Sequence, residues 1–289
     1  MTRKNGRDVA IGLACVLGLS SLNLSSAGLP ARQSDAYTSR VCSTVLPEVI
    51  AKRLKALTSP EGPAAPATDE ARRQQQNVGQ ATELALVAGL MWPNASTLRI
   101  RFMNTPEAMQ TRIMSAALEW SKVANLKFDA ANHARAEIRI STVPDGRSWS
   151  YIGMDAATRP QTEATMNFGW LTPKSTDADV SSVVLHEFGH ALGAIHEHQS
   201  PGGAIEWNEP VVLKACAAMA WSEAQCRFNI LDRYTPEGLK FTRIDPTSIM
   251  MYAFPVEWTT NKVGTPWNVT LSPSDRQFIG MLYPRTTAQ

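Results

Sequence analysis

Histidine is scarce in this chain, with five in 289 residues. Charge of one sign is lacking too. A formal net charge of +2, with no Lys/Arg cluster and no interleaving of basic and aromatic residues, excludes the electrostatic footprint of a nucleic-acid binder. The apolar run at residues 9–24 is too short and too serine-rich to anchor the chain in a membrane. No internal repeat is present. The length allows one domain of ordinary size plus an N-terminal extension.

The few histidines are concentrated. Four of the five fall between His186 and His198. Three of the four form the pattern H-E-x-x-H-x-x-G-x-x-H, from His186 to His196, and each fixed position has a physical task. His186 and His190 are four apart, so on an α-helix both imidazoles lie on one face and can grip one metal ion. Glu187 follows the first of them, placed to address a zinc-bound water rather than the metal. Gly193 lies where the helix must stop. Without a Cβ it takes positive φ, so the chain can reverse and bring back His196 as third ligand. Three neutral imidazoles with one open position describe a catalytic zinc site, because a structural site is closed by four protein ligands.

A second block, Ser248-Ile249-Met250-Met251-Tyr252, lies about fifty residues downstream, where a methionine turn is placed relative to such a motif. Met250 then floors the three imidazoles. Tyr252 brings a phenol near the metal, able to ligate it at rest or to stabilise an oxyanion. Read alone, these residues are better explained as ordinary core after a turn at Asp245-Pro246, and the zinc motif upstream reverses that preference.

On the residues from His186 to Pro201 and from Ser248 to Tyr252, the chain resembles a bacterial-type member of the astacin family of metzincin endopeptidases. The resemblance runs from about Trp92 to Pro284. It implies one catalytic Zn2+ held by His186, His190 and His196, with Glu187 and Tyr252 as catalytic residues and Tyr252 as a switchable ligand. It also implies that Glu197 helps anchor a buried mature N-terminus. The chain departs from the family in two places. His196-Glu197-His198-Gln199-Ser200-Pro201 replaces the usual H-E-Q-x-R continuation, and Met251 stands where the family has histidine. His198 is either a further ligand or a residue supporting the site from behind.

Residues 1–8 carry Arg3, Lys4 and Arg7, an apolar stretch follows, and Ser25-Ser26-Ala27 closes it, which reads as a signal peptide over residues 1–27. A secreted or periplasmic location follows, with a lipoprotein at Cys15 as the lesser alternative. In an oxidising compartment Cys216 and Cys226 are a natural disulfide pair. Cys42 is then odd: a free thiol, an intermolecular link, or a latency ligand on the zinc. Residues 28–87 are polar and contain a Pro/Ala-rich stretch at 59–66, so they read as a pro-segment or linker. Residues 88–289 read as the catalytic domain. Asn94-Ala95-Ser96 and Asn268-Val269-Thr270 fit the glycosylation triplet.

Alternating residues predict strands at 97–102 and 136–140, with further strands at 148–153 and 164–170. Helical spacing over 106–123 uses Met109, Ile113, Ala116, Ala117 and Trp120. The zinc helix spans 179–192. Two helices at 210–220 and 222–230 precede a last one at 273–282, capped by Ser272 with Asp275 completing the box. The expected fold is α+β and metzincin-like. A twisted mixed sheet and the active helix form the N-terminal half, an irregular helical half follows, and zinc lies in the cleft between. The expected partner is a protein or peptide substrate, lying extended along a sheet edge for which 149–153 is the candidate. No nucleic acid, no stable membrane insertion and a monomer are expected. Two rival functions share the zinc motif. One is a zinc-containing binding module that has lost catalysis, which the intact Glu187 argues against. The other is a zinc amidase acting on cell-wall peptides, which a fold by itself does not exclude.

Overall fold

A computed structural model describes Cys42 and residues 86–131, 133–234, 239–241 and 243–285. The signal-peptide and pro-segment assignments therefore lie outside the described residues, Cys42 and residues 86–87 excepted.

The N-terminal half is a five-stranded sheet with two helices packed against each other. The strands are β2 (Thr97–Phe102), β3 (Lys127–Asp129), β4 (Ile138–Ser141), β5 (Ser148–Ser150) and β6 (Met166–Phe168), in the order β3-β2-β4-β6-β5. β2 runs parallel to β3 and β4, and β4 parallel to β6. β5 alone is antiparallel. Among the described residues it pairs only with β6, and so leaves one edge of the sheet open. In β2, Leu98 and Ile100 point inward while Thr97 and Arg99 face water, the alternation seen in the sequence. β4 is buried on both faces, Arg139 included. Its guanidinium donates to the carbonyls of Ala136, Ala156, Arg159 and Glu163, which ties the loop before β6 to the sheet.

Helix α1 (Glu107–Val123) buries Met109, Ile113, Ala117 and Trp120 at spacings of four, four and three, one stripe of a 3.6-residue period. It packs on α2 (Asp177–Ala191). The α2 N-terminus is closed by a capping box between Thr176 and Asp179. From Ser182 to Ala191 every residue of α2 is buried, so this helix is the centre of the core rather than a surface element. The Trp120 indole donates to the Leu185 carbonyl at 2.9 Å, fixing the register of the two helices.

After α2 the chain enters the irregular half. It holds α3 (Glu209–Ala218), a single turn α4 (Glu223–Cys226) that widens into a π-type turn at Arg227–Leu231, and β7 (Leu239–Lys240). Cys216 and Cys226 form the expected disulfide, joining α3 to α4. β7 pairs antiparallel with β1 (Leu86–Val87), a contact that local patterning does not reveal. The last helix, α5 (Pro273–Leu282), has the expected Ser272/Asp275 box but crosses back onto α1, placing Phe278, Ile279 and Tyr283 in the N-terminal core. Among the described residues no helix is long and apolar enough to cross a membrane.

Candidate metal centre

The end of α2 builds the site. Gly193 has φ 104°, its N–H reaches the His190 carbonyl at 2.8 Å, and the Ala194 N–H reaches the Gly189 carbonyl at 2.9 Å. These two bonds make a Schellman motif, which satisfies the last helical carbonyls and turns the chain sharply. Two further carbonyls at the helix end are met by side chains. Trp92 Nε1 donates to Ala191 O at 2.7 Å, and the Tyr283 hydroxyl donates to Leu192 O at 2.9 Å. The turn is thus held from three sides, and His196 comes back to face His186 and His190.

The three imidazoles are oriented from behind. His186 Nδ1 donates to the Ile249 carbonyl at 2.8 Å, and His190 Nδ1 to the Ala194 carbonyl at 2.9 Å. His196 Nδ1 donates to Gln199 Oε1 at 3.2 Å. Gln199 is itself fixed, its amide donating to the carbonyls of Phe228 and Asp232. Each Nδ1 faces an acceptor, so each carries the proton and each Nε2 keeps a free lone pair. Burial pushes the rings toward the neutral form. His186 falls to about 4, His190 well below its usual value through burial and then His186, and His196 likewise through burial and then His190. Neutral imidazoles are the state that binds a cation.

Cys42 completes the group. One donor atom each from Cys42, His186, His190 and His196 lies within 4.8 Å of all the others. His190 Nε2 and His196 Nε2 are 3.2 Å apart, and Cys42 Sγ is 3.7 Å from His190 Nε2. Ligands of one tetrahedral zinc, at about 2.0 Å for nitrogen and about 2.3 Å for sulfur, stand roughly 3.3 and 3.6 Å apart. Two unprotonated nitrogens facing each other at 3.2 Å repel unless a cation lies between them, and His186 Nε2 has no hydrogen-bond partner. The donor set fits zinc. Of the roles open to Cys42, the buried, unpaired thiol at this point matches a metal-facing one. Its pKa is raised well above the usual value, first by burial and then by Glu187.

Glu187 is fully buried beside the thiol, and no N–H or O–H donor meets its carboxylate. Burial pushes it up to about 8, with the Cys42 thiol opposing. Tyr252 lies against His196, ring centroids 4.2 Å apart and planes tilted at 54°, and its hydroxyl donates to the backbone carbonyl of Cys42. His198 does not join the metal group. It is buried, its Nε2 pairs with the Asn229 carbonyl at 3.0 Å, and its ring stacks on His196 at 5.2 Å. Glu197 is buried and accepts the Asp245 N–H at 3.1 Å, so in this state it holds the segment leading to the methionine turn.

That turn lies behind the rings. Met250 Sδ occupies the space that a Cβ on Gly189 would need, which explains a glycine inside a helix between two candidate ligands. Asp275 fastens the turn: it accepts from Ser248 Oγ at 2.7 Å and from the Ile249 N–H at 2.8 Å. The Ile249 carbonyl in turn orients His186. Gly189, Gln199 and this second task of Asp275 are missed by sequence reasoning. Gly189 had one signal, a helix-breaking residue inside an otherwise strong helix.

A helix that delivers two imidazoles and a glycine turn that delivers the third, backed by a methionine turn, is the architecture of the metzincin metallopeptidases. Known relatives narrow the class. The profile of the astacin peptidase family matches residues 88–255, more than half of the chain. The structure of myroilysin superposes with a TM-score of 0.68 at 35% identity, over 70% of this chain and 99% of that one. A crystal structure of myroilysin gives a TM-score of 0.54 at 34% identity, over 68% and 86%. No curated protein sequence matches. The chain belongs to the astacin family of metallopeptidases.

Proposed function

We propose that this protein is a secreted zinc endopeptidase made in a latent form, with His186, His190 and His196 as the metal ligands and Cys42 as the removable fourth. The observation that carries the reading is the convergence of three Nε2 atoms whose Nδ1 atoms are each held by an acceptor. When bound, zinc lowers the pKa of a ligated water toward neutrality and polarises the scissile carbonyl. Glu187 is the general base. It takes a proton from the attacking water and returns it to the leaving amine. No N–H or O–H donor engages its carboxyl group, and the positive charge of a bound zinc would favour the ionised form that the transfer needs. The Tyr252 hydroxyl, now on the Cys42 carbonyl, takes the same place against the carbonyl oxygen of a substrate as negative charge develops there. The open edge of β5 supports an extended peptide by main-chain hydrogen bonds.

A site with four protein ligands is closed, and catalysis needs the fourth position free. Cys42 lies upstream of the family match, so cleavage of the intervening chain removes the thiol and opens the site. Export through a signal at residues 1–27 agrees with the Cys216–Cys226 disulfide, which persists in oxidising compartments.

The test is casein cleavage with zinc content read in parallel, on the full chain, on Cys42→Ala and on Cys42→Ala with Glu187→Ala. The expected pattern is zinc in all three and cleavage by Cys42→Ala alone. Zinc without cleavage by Cys42→Ala would indicate a binding module. Spared casein with cut cell-wall stem peptides would indicate an amidase.

A further inference from the structure

The cleft that holds Cys42, His186, Glu187 and Tyr252 continues past them. Trp170 and Trp267 also line it, their rings tilted at 55° with centroids 6.4 Å apart. Val183 and Ile249 form apolar wall, and Ser182 and Asn268 add neutral polar groups. Among the described residues no Lys or Arg lines the cleft, and Glu187 is the one carboxylate on its wall.

The position of this cavity relative to the chemistry follows from α2. Ser182 and Val183 precede His186 and Glu187 by four residues each, one helical turn, so they lie about 6 Å along the axis on the same face. An extended peptide advances about 3.3 Å per residue and projects its side chains to alternate faces. A cavity one turn from the metal ligand therefore receives the side chain of a residue next to the cut bond.

We infer that this cavity is a specificity pocket that admits an uncharged apolar or aromatic side chain at one of the two positions flanking the cut bond and rejects Asp and Glu there. The inference rests on the peptidase reading above. The physical reason is desolvation in a confined site. A substrate carboxylate entering the pocket loses its water and finds no Lys or Arg on the wall to pair with. An aromatic or branched apolar side chain fills the gap against the two indoles and gains burial.

Two measurements test this, one without turnover. Peptide hydroxamates differing only in one side chain, benzyl or isobutyl against carboxymethyl, are titrated into the zinc-loaded full-length Cys42→Ala protein, with Trp170 and Trp267 as fluorescence reporters. The benzyl and isobutyl compounds are expected to bind on the order of tenfold to a hundredfold more tightly. Equal affinity, or preference for carboxymethyl, overturns the pocket. A Ser182→Arg variant, which adds a cation to the wall, is expected to narrow or reverse the difference. In the second measurement a proteome-derived peptide library is digested and the cut sites are read by mass spectrometry. Apolar and aromatic residues should be enriched at one flanking position, with Asp and Glu depleted there. Acidic residues at both flanking positions would refute the pocket while leaving the peptidase standing. An uncut library with hydroxamates still discriminated would refute the peptidase and support the pocket.

Discussion

Tyr283→Phe should loosen the end of the zinc helix without disturbing its packing. Tyr283 is fully buried in the core that carries α2, and its hydroxyl has two partners. It donates to Leu192 O at 2.9 Å, at the end of the zinc helix, and accepts the Trp92 N–H at 3.2 Å. The phenol is pushed up to about 12 by burial, so it remains a neutral donor at any working pH. Phenylalanine keeps the ring and its packing and removes only the oxygen. Two buried backbone groups then lose their partner, each at a cost of about 1–3 kcal/mol, and the space of one oxygen is too small for a bridging water to restore both bonds. The sum is about 2–6 kcal/mol. For a domain of about 200 residues this lowers Tm by roughly 4–24 °C. The assay is thermal unfolding of parent and variant, first in excess chelator and then with saturating zinc, because a bound ion adds its own stabilisation. A variant whose Tm stays within about one degree of the parent's in chelator would refute the claim that this hydroxyl secures the helix end.

Two other perturbations test the support of the rings. Gly189→Ala gains about 1 kcal/mol of helix propensity, but its Cβ would collide with Met250 Sδ. Displacing Met250 shifts the Ile249 carbonyl from His186, so zinc affinity in a chelator competition should fall on the order of tenfold. Higher stability with unchanged affinity would show that the contact is unimportant. Asp275 is raised to about 6, first by burial, with its hydrogen bonds from Ile249, Ser248 and Ser272 opposing. An unfolded aspartate titrates near 3.9, so between about pH 4 and 6 the folded state holds the extra proton and stability falls as pH rises. The loss at pH 7 is about 3 kcal/mol, and it is absent below pH 4. Unfolding free energies of the metal-free parent and of Asp275→Asn, measured from pH 4 to 7, should diverge in this direction. A parent that gains on the variant as pH rises would overturn the burial account.

The features legible in the amino-acid order are local in origin. The spacing of His186 and His190, the stop at Gly193 and the Ser272/Asp275 box each depend on a few neighbouring residues and on backbone geometry that any helix shares. For that reason the zinc helix, α1, β2 and α5 are readable within a residue or two. The family resemblance reached further, to Met250 and Tyr252, because a motif carries long-range placement that periodicity does not. Other features emerge only when the chain folds. β3 is three residues with one flanking apolar pattern, and β1 and β7 are two residues each, too short for any period to register. The Arg227–Leu231 π-type turn continues a helical pattern whose widening is set by packing of the irregular half rather than by composition. Cys42 had three chemical roles open to it until the fold placed its sulfur 3.7 Å from His190, across 148 residues of chain. Asp275 looked finished once it capped α5, yet its two oxygens also hold the turn that orients His186. Contacts of that separation are fixed by how the two halves close on each other, and no local rule encodes them.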